Sequence, residues 1–443
     1  MKIPPRPPDP ISVLTKDPKR LSLLGLRLGI VDDKGRYLPW DELRFKKPPA
    51  DMSVKEWWAV TRLTRGAVSQ TLPLDDDAKQ NFSFCEPPSL KAALRELDMS
   101  TGGALASDAT VLSTGEGKLH LARSLAEEPF ASSFIEGAAT TRQIAKKLIL
   151  EKRTPRTKDE RMVLNNYLAL EFVKQHRDEN LTLPMLLELH RIMTEGTLDD
   201  PADAGRVRTD DDVQVVDGAT NEILHQPPLA ANLPARLERL MKFANRKASA
   251  SNWVHPLLKA CILHFMLSYE HPFVDGNGRV ARALFYWLAL RERYWLIEYV
   301  SISSVIAQSK IAYGRAFLNV ETDSLDLTYF LIYHTHVLQT AVVRLTQFVE
   351  RKRKEVTALE RRLADRADAF NHRQSWLLNE FARNRLERVT IAEHEGRNGV
   401  SYLTARSDLE ALLKLGFLRK TKSGKSSIYS PARDLLRRLS APG

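Results

Sequence analysis

From about Lys118 to Arg353 the chain returns apolar residues at helical spacing: KLHLARSLAEEPFASSF, RMVLNNYLALEFVKQH, LPMLLELHRIM, LPARLERLMKFAN, HPLLKACILHFMLSYE, VARALFYWLALRERYW and LTYFLIYHTHVLQTAVVRLTQFVERKRKEV. A 3.6-residue period held over that many segments predicts a helical bundle. One stretch breaks it. In VRTDDDVQVVDGATNEILHQPP, Val213, Val215 and Val216 precede Asp217-Gly218, and Ile223 and Leu224 lead to Pro227-Pro228, so two short strands around the Asp-Gly turn predict a hairpin beside the bundle.

Proline punctuates the first hundred residues in IPPRPPDP, FKKPPAD and CEPPSL, and SVKEWWAVTRLTRGAV between them has helical spacing. This predicts a small helical N-terminal module over residues 1–100, with Trp57 and Trp58 as packing residues. The bundle then spans 101–350, and a charge-dense helix and linker cover 351–370. Residues 371–443 read as helix (SWLLNEFARN), short helix (TIAEHEG), longer helix from the cap Ser401 (SYLTARSDLEALLKLG) and a basic hairpin (LRKTKSGKSSIYSP). The expected fold is mainly α, with an α+β tail.

Composition narrows the class without naming an activity. At 43% hydrophobic and 27% charged residues, the chain matches soluble globular proteins, and no apolar run approaches the roughly 18 residues of a membrane-spanning helix. MKIPPRPPDP lacks the apolar core of a secretory signal, and the two cysteines, Cys85 and Cys261, have no CxxC partner; both features point to a reducing cytoplasm and to packing cysteines. The net charge of +11 suggests anionic partners.

The chemistry concentrates in HPFVDGNGRVAR, His271 to Arg282. Gly276, Asn277 and Gly278 lie between two helical segments, where glycines let backbone amides face a ligand and a helix N-terminus favours negative charge. Arg279 and Arg282, three apart, share a helix face and can reach the oxygens of a di- or triphosphate. Asp275 is a hard oxygen ligand of the kind that holds magnesium jointly with phosphates. His271 is the group that titrates near neutrality and can accept a proton from an attacking hydroxyl. Each element alone has an ordinary use, as a turn, a solvated arginine pair or a capping histidine. Together within twelve residues they point to phosphate chemistry.

The stretch also matches the HPFx(D/E)GNGRxxR signature of the Fic domain at every defined position. The flanking HPLLKACILHFMLSYE, NYLAL and LHRIM resemble that family's helices, and the hairpin from Val213 to Leu224 falls where the family has its flap. The resemblance covers about 230 residues, from the 120s to the 340s. It implies transfer of AMP from ATP to a Ser, Thr or Tyr hydroxyl of a target protein, with His271 as base, Asp275 holding Mg2+, Asn277 and the Gly276 and Gly278 amides fixing the α-phosphate, and Arg279 and Arg282 gripping the β- and γ-phosphates. It places Tyr313 near the adenine. The flap, with Val213, Gln214, Val215 and Val216, would dock the target backbone.

Upstream, ASSFIEGAAT resembles the (S/T)xxxE(G/N) inhibitory motif of the Fic class that carries it ahead of the core, within a helix near 120–137. Ser132, Glu136 and Gly137 are the matching residues, and the resemblance implies that Glu136 pairs with Arg282 and keeps ATP from a productive pose. The same glutamate could instead align a water that removes AMP from a modified target.

The tail holds fourteen Lys+Arg against seven Asp+Glu, so most of the chain's excess positive charge lies in it. Its element order resembles a winged helix-turn-helix, which implies DNA readers at Tyr402, Thr404 and Arg406 and phosphate contacts at Lys420, Lys422 and Lys425. This leaves a DNA-binding regulator whose core senses nucleotide as the alternative function, and a second copy of the chain as another use of the tail.

Overall fold

A computed structural model describes residues 1–16, 29–49, 52–102, 125–218, 220–247, 249, 253–365, 370–382, 386, 388–423, 426–432, 434, 435 and 438. The chain divides into two compact units, one containing Met1–Ser113 and Leu121–Leu345, the other Thr346–Gly443.

The first unit is built around two helices that are apolar on nearly every side. Leu257 to Leu267 of one and Arg279 to Leu290 of the next are all buried, and a helix with no polar face must be surrounded by others. Helix α1 (Val54–Val68) and strands β1 (Gln70–Asp75) and β2 (Asn81–Phe84) come first, then α2 (Pro88–Thr101), α3 (Glu127–Ile135), α4 (Arg142–Leu150), α5 (Lys158–Gln175) and α6 (Leu183–Thr194). The short strands β3 (Val215–Val216) and β4 (Ile223–His225) lead to α7 (Leu233–Asn245), the central pair α8 (Pro256–Glu270) and α9 (Asn277–Arg291), then α10 (Lys310–Thr322) and α11 (Thr328–Asp365). Helix α9 packs on α8, α5, α6 and α3, while α7 covers α8.

The first hundred residues contain a hairpin that the helical expectation omits, β1 paired antiparallel with β2. Pro73 sits inside β1, and a proline within a run argues against reading it as a strand. This region shares the first unit with the bundle. Trp58 is fully buried and Trp57 7% exposed, and the Tyr37 hydroxyl donates to Asp326 at 2.6 Å. The expected hairpin of the flap is shorter than its valines suggest. Pairing joins Val215 to His225 and Val216 to Ile223, so Val213 and Gln214 lie in the connection ahead of the strand.

In the second unit, α11 runs on to Asp365, and α12 (His372–Ala382), β5 (Val389–Thr390), α13 (Ile391–Asn398), α14 (Tyr402–Lys414), β6 (Leu418–Ser423) and β7 (Ser426–Pro431) follow. The sheet order is β5-β7-β6, antiparallel throughout. Leu377, Phe381, Leu409, Leu412 and Tyr429 form its core. The buried Asp408 carboxylate ties three helices together, accepting from Asn371 at 2.6 Å, Arg373 at 2.7 Å and His394 at 3.3 Å. Among the described residues, no helix is long and apolar enough to cross a membrane, and Cys85 and Cys261 are free and buried.

Candidate active site

Helix α8 ends at His271, whose backbone turns left-handed at φ 45° and ψ 57°. Its amide still donates to Leu267 O at 3.0 Å, and Pro272 prevents further winding. The half-buried ring rests with Nδ1 3.2 Å from Ser268 O. Burial lowers its proton affinity to a pKa of about 4, because an imidazolium loses hydration there. The ring is therefore neutral at physiological pH.

The turn from His271 to Asn277 is held by side chains distant in sequence. Gly276 has φ 89°, and a Cβ there would come 2.8 Å from Thr194 Cγ2, so both backbone and space call for glycine. His190 of α6 stacks on Phe273 with ring centroids 3.8 Å apart. Its Nε2 donates to Asp275 O at 2.9 Å while its Nδ1 accepts from Gly205 N at 3.0 Å. Arg208 donates to His271 O at 3.0 Å, to Asp210 O at 2.6 Å and to Pro228 O, linking the turn to both ends of the β3–β4 segment. Asn277 is committed within the turn. Its Oδ1 accepts from Phe273 N at 2.9 Å and its Nδ2 donates to Phe273 O at 2.7 Å, so the side chain expected on the α-phosphate is used to close the loop.

The first-turn amides of α9 have no helical acceptors by construction, and two buried arginines stand beside them. Arg279, 1% exposed, donates to Met193 O at 3.3 Å and to Asp275 Oδ2 at 3.1 Å. Arg282, also 1% exposed, donates from Nε to Ser132 Oγ at 2.9 Å and from Nη2 to Glu136 Oε1 at 2.6 Å. The same carboxylate oxygen lies 2.5 Å from where a Cβ on Gly278 would stand. An anion therefore already occupies the mouth of α9, and it belongs to the chain itself.

Helix α3 delivers that anion and is held at both ends. Glu128 in its first turn accepts from Ser301 Oγ at 2.8 Å, Ser303 N at 3.0 Å and Ser303 Oγ at 2.6 Å, and burial pushes its carboxyl pKa up. At the other end Lys310 Nζ donates to Ile135 O at 2.6 Å, and Gly137 continues the chain at φ 96°.

A pocket of 250 Å³ opens between β3–β4, α8, α9 and α10, with His271, Gly278, Arg282, Glu136, Val215 and Tyr313 in its wall. The Tyr313 hydroxyl bonds His264 Nε2 at 2.8 Å, and burial raises its pKa to about 12. Val216 is 47% exposed on the outer side of the hairpin. Asp275 carries an exposed carboxylate, 58% accessible. Among the described residues no cluster of three potential metal-ligating side chains exists. A divalent cation would fit here only if shared with substrate phosphates, which is how magnesium is commonly held.

The structure thus brings together His271, Gly276, Gly278, Arg279, Arg282, Tyr313, Ser132, Glu136, Gly137 and Val215. Sequence reasoning missed His190, Arg208, Glu128 and Lys310. His190 offered one signal, a histidine within the apolar stripe of LPMLLELHRIM, while Arg208 offered none. In the second unit Tyr402 is 49% exposed, Arg406 exposed and Thr404 half-buried. Lys422 is exposed, but Lys420 is engaged with Glu410 at 2.5 Å. Lys425 lies outside the described residues.

A model of the Fic/DOC family matches residues 180–289, which contain α6, the β3–β4 hairpin, α8 and most of α9. Over those residues the chain is similar to a Fic/DOC domain. The chain is 34% identical over 134 residues to a protein adenylyltransferase Fic of Drosophila virilis, 30% of this chain and 25% of that one. It is 33% identical over the same length to the protein adenylyltransferase Fic of Drosophila grimshawi. The chain therefore spans about a quarter of the length of the curated relatives it matches. Among solved structures, a Fic family protein from Desulfovibrio desulfuricans G20 is 21% identical with a TM-score of 0.49, over 79% of this chain and 98% of that one. Fic-1 from C. elegans is 19% identical with a TM-score of 0.47, over 71% and 81%.

Proposed function

We propose that this protein is an adenylyltransferase whose Fic domain is restrained by its own Glu136. The observation that carries the reading is the 2.6 Å pair between Glu136 and buried Arg282, set against Gly278 at the start of α9 and in one pocket with His271.

With the carboxylate withdrawn, Arg282 and the first-turn amides of α9 face an anion, and a triphosphate takes the place of Glu136. Neutral His271 accepts the proton of a target hydroxyl as its oxygen bonds to the α-phosphorus. The bond from that phosphorus to the bridging oxygen breaks on the opposite side, and pyrophosphate leaves. Asp275 would hold magnesium, which neutralises phosphate charge when bound. Positioning and charge stabilisation supply most of the acceleration. Val215 and Val216 offer a short strand edge for the target backbone.

The test is self-labelling with α-labelled ATP and magnesium. Glu136→Gly gains strong labelling and His271→Ala abolishes it. Absence of any gain on removing the carboxylate overturns the restraint. Release of AMP from a pre-modified target by the wild type, without transfer by Glu136→Gly, would assign removal instead.

For the tail we propose a winged helix that binds DNA, supported by exposed Tyr402 and Arg406 on α14 and Lys422 on β6. Salt-dependent retardation of a DNA duplex by the full chain, lost in Arg406→Ala, is the expected outcome. A salt-independent result, or a concentration-dependent dimer without DNA binding, assigns the tail to protein contact.

A further inference from the structure

His225 closes strand β4, is 9% exposed and shares the pocket wall with His271. Its Nε2 lies 2.7 Å from Tyr269 O and its Nδ1 2.8 Å from Glu321 Oε2. A carbonyl and a carboxylate only accept. Both ring nitrogens must therefore carry hydrogen, and the side chain that satisfies both contacts is the imidazolium. A neutral ring would set a nitrogen lone pair against an oxygen lone pair on one side.

Both partners matter to the site. Tyr269 O belongs to the last turn of α8, whose carbonyls lack helical donors, and a cation there meets the negative end of the helix. His225 thus ties the hairpin to the helix that ends in His271, while Glu321 ties it to α10. The charged groups acting on His225 are Glu321 and Glu270. Those acting on His271 are His225 and Arg208, which oppose a proton on it, and Glu136, which favours one.

We propose that His225 stands in the pocket wall as a fixed imidazolium, a positioning residue that anchors the hairpin to α8 and α10 and electrostatically disfavours a proton on His271. Its catalytic relevance rests on the reading of His271 as the base. Withdrawing Glu136 removes the anion that offsets this effect, so the influence of His225 is greatest in the unrestrained enzyme.

The experiment uses the full chain labelled with 15N-histidine. At neutral pH the His225 signals, identified by their loss in His225→Gln, should be those of a ring with two protonated nitrogens; a neutral ring at pH 7 overturns the proposal. In His225→Gln, His271 should take up its proton about half a pH unit or more higher, and His225→Arg should restore the original titration. An unchanged His271 titration in His225→Gln defeats the coupling even if transfer falls. In a Glu136→Gly background the acid limb of the transfer profile should move with it. Failure of Glu136→Gly to transfer AMP would count against the proposed activity and leave the two NMR results to decide the charge of His225.

Discussion

Replacing Asn277 by aspartate separates two uses of one side chain. Asn277 is 2% exposed and exchanges two hydrogen bonds with the Phe273 backbone, at 2.9 and 2.7 Å. Aspartate keeps the acceptor for Phe273 N but puts a second oxygen where the amide donated to Phe273 O. An orphaned buried carbonyl costs about 1–3 kcal/mol. The new carboxylate must also lose hydration against an acceptor, which raises its pKa at about 1.4 kcal/mol per pH unit of displacement. We expect Asn277→Asp to lose about 2–4 kcal/mol at pH 7 without any nucleotide. The loss shrinks toward pH 5, because a carboxyl with a raised pKa regains its proton there and can donate to Phe273 O. Asn277→Ala removes both bonds and should lose a similar amount with no such pH dependence. Urea unfolding of the nucleotide-free protein at the two pH values measures both. Stability of Asn277→Asp within about 0.5 kcal/mol of wild type at pH 7 would refute the reasoning and return Asn277 to phosphate binding alone.

Arg208→Met should cost about 3–5 kcal/mol by leaving carbonyls of the His271 turn and the flap ends without their charged donor, with faster hydrogen exchange in residues 208–228; slow exchange there would count against it. His190 and His334 are held neutral by burial, each with a pKa of about 4. The unfolded chain binds their protons below about pH 6.5, so stability is full above that value and falls as pH drops toward 4. The two together cost on the order of 4 kcal/mol at pH 5, and equal urea midpoints at pH 7 and 5 would contradict this. Glu136→Gly should lose about 1–3 kcal/mol, because Arg282 is left buried without its carboxylate while water enters from the exposed side. Added pyrophosphate should raise the melting temperature of that variant more than that of wild type, and equal shifts would argue that Glu136 does not occupy an anion site.

The central helices were legible because α8 and α9 are apolar on nearly every side and HPFVDGNGRVAR marks the turn between them. What the sequence hid was the support of that turn. Arg208 lies 63 residues from the carbonyl of His271 that it holds, and nothing in VRTDDD distinguishes a buried arginine from a solvated one. The second use of Asn277 was hidden for a related reason: a side chain beside a phosphate cradle looks like a ligand alone until the loop is tight enough to place Phe273 N and O within its reach. The β1–β2 hairpin was missed because Pro73 interrupts the strand and Asp75-Asp76-Asp77 carries no Asn-Gly or Asp-Gly signal. The flap strand was overextended because Arg208 holds Asp210 O, and the chain begins pairing only at Val215.

The buried guanidinium of Arg282 gives these details a common logic. A charge that is 1% exposed is tolerable only beside an anion, and the mouth of α9 offers it space for one. Glu136 fills that space from α3, a helix of nine residues anchored through Glu128 at one end and Lys310 at the other. A triphosphate can reach Arg282 only by displacing the carboxylate, since two anions at one cation repel each other. The proposed restraint therefore needs no separate domain. On that proposal its strength depends on how firmly Glu128 and Lys310 hold α3, and weakening either anchor should loosen the hold of Glu136 on the His271 pocket while leaving His271, Arg279 and Arg282 in place.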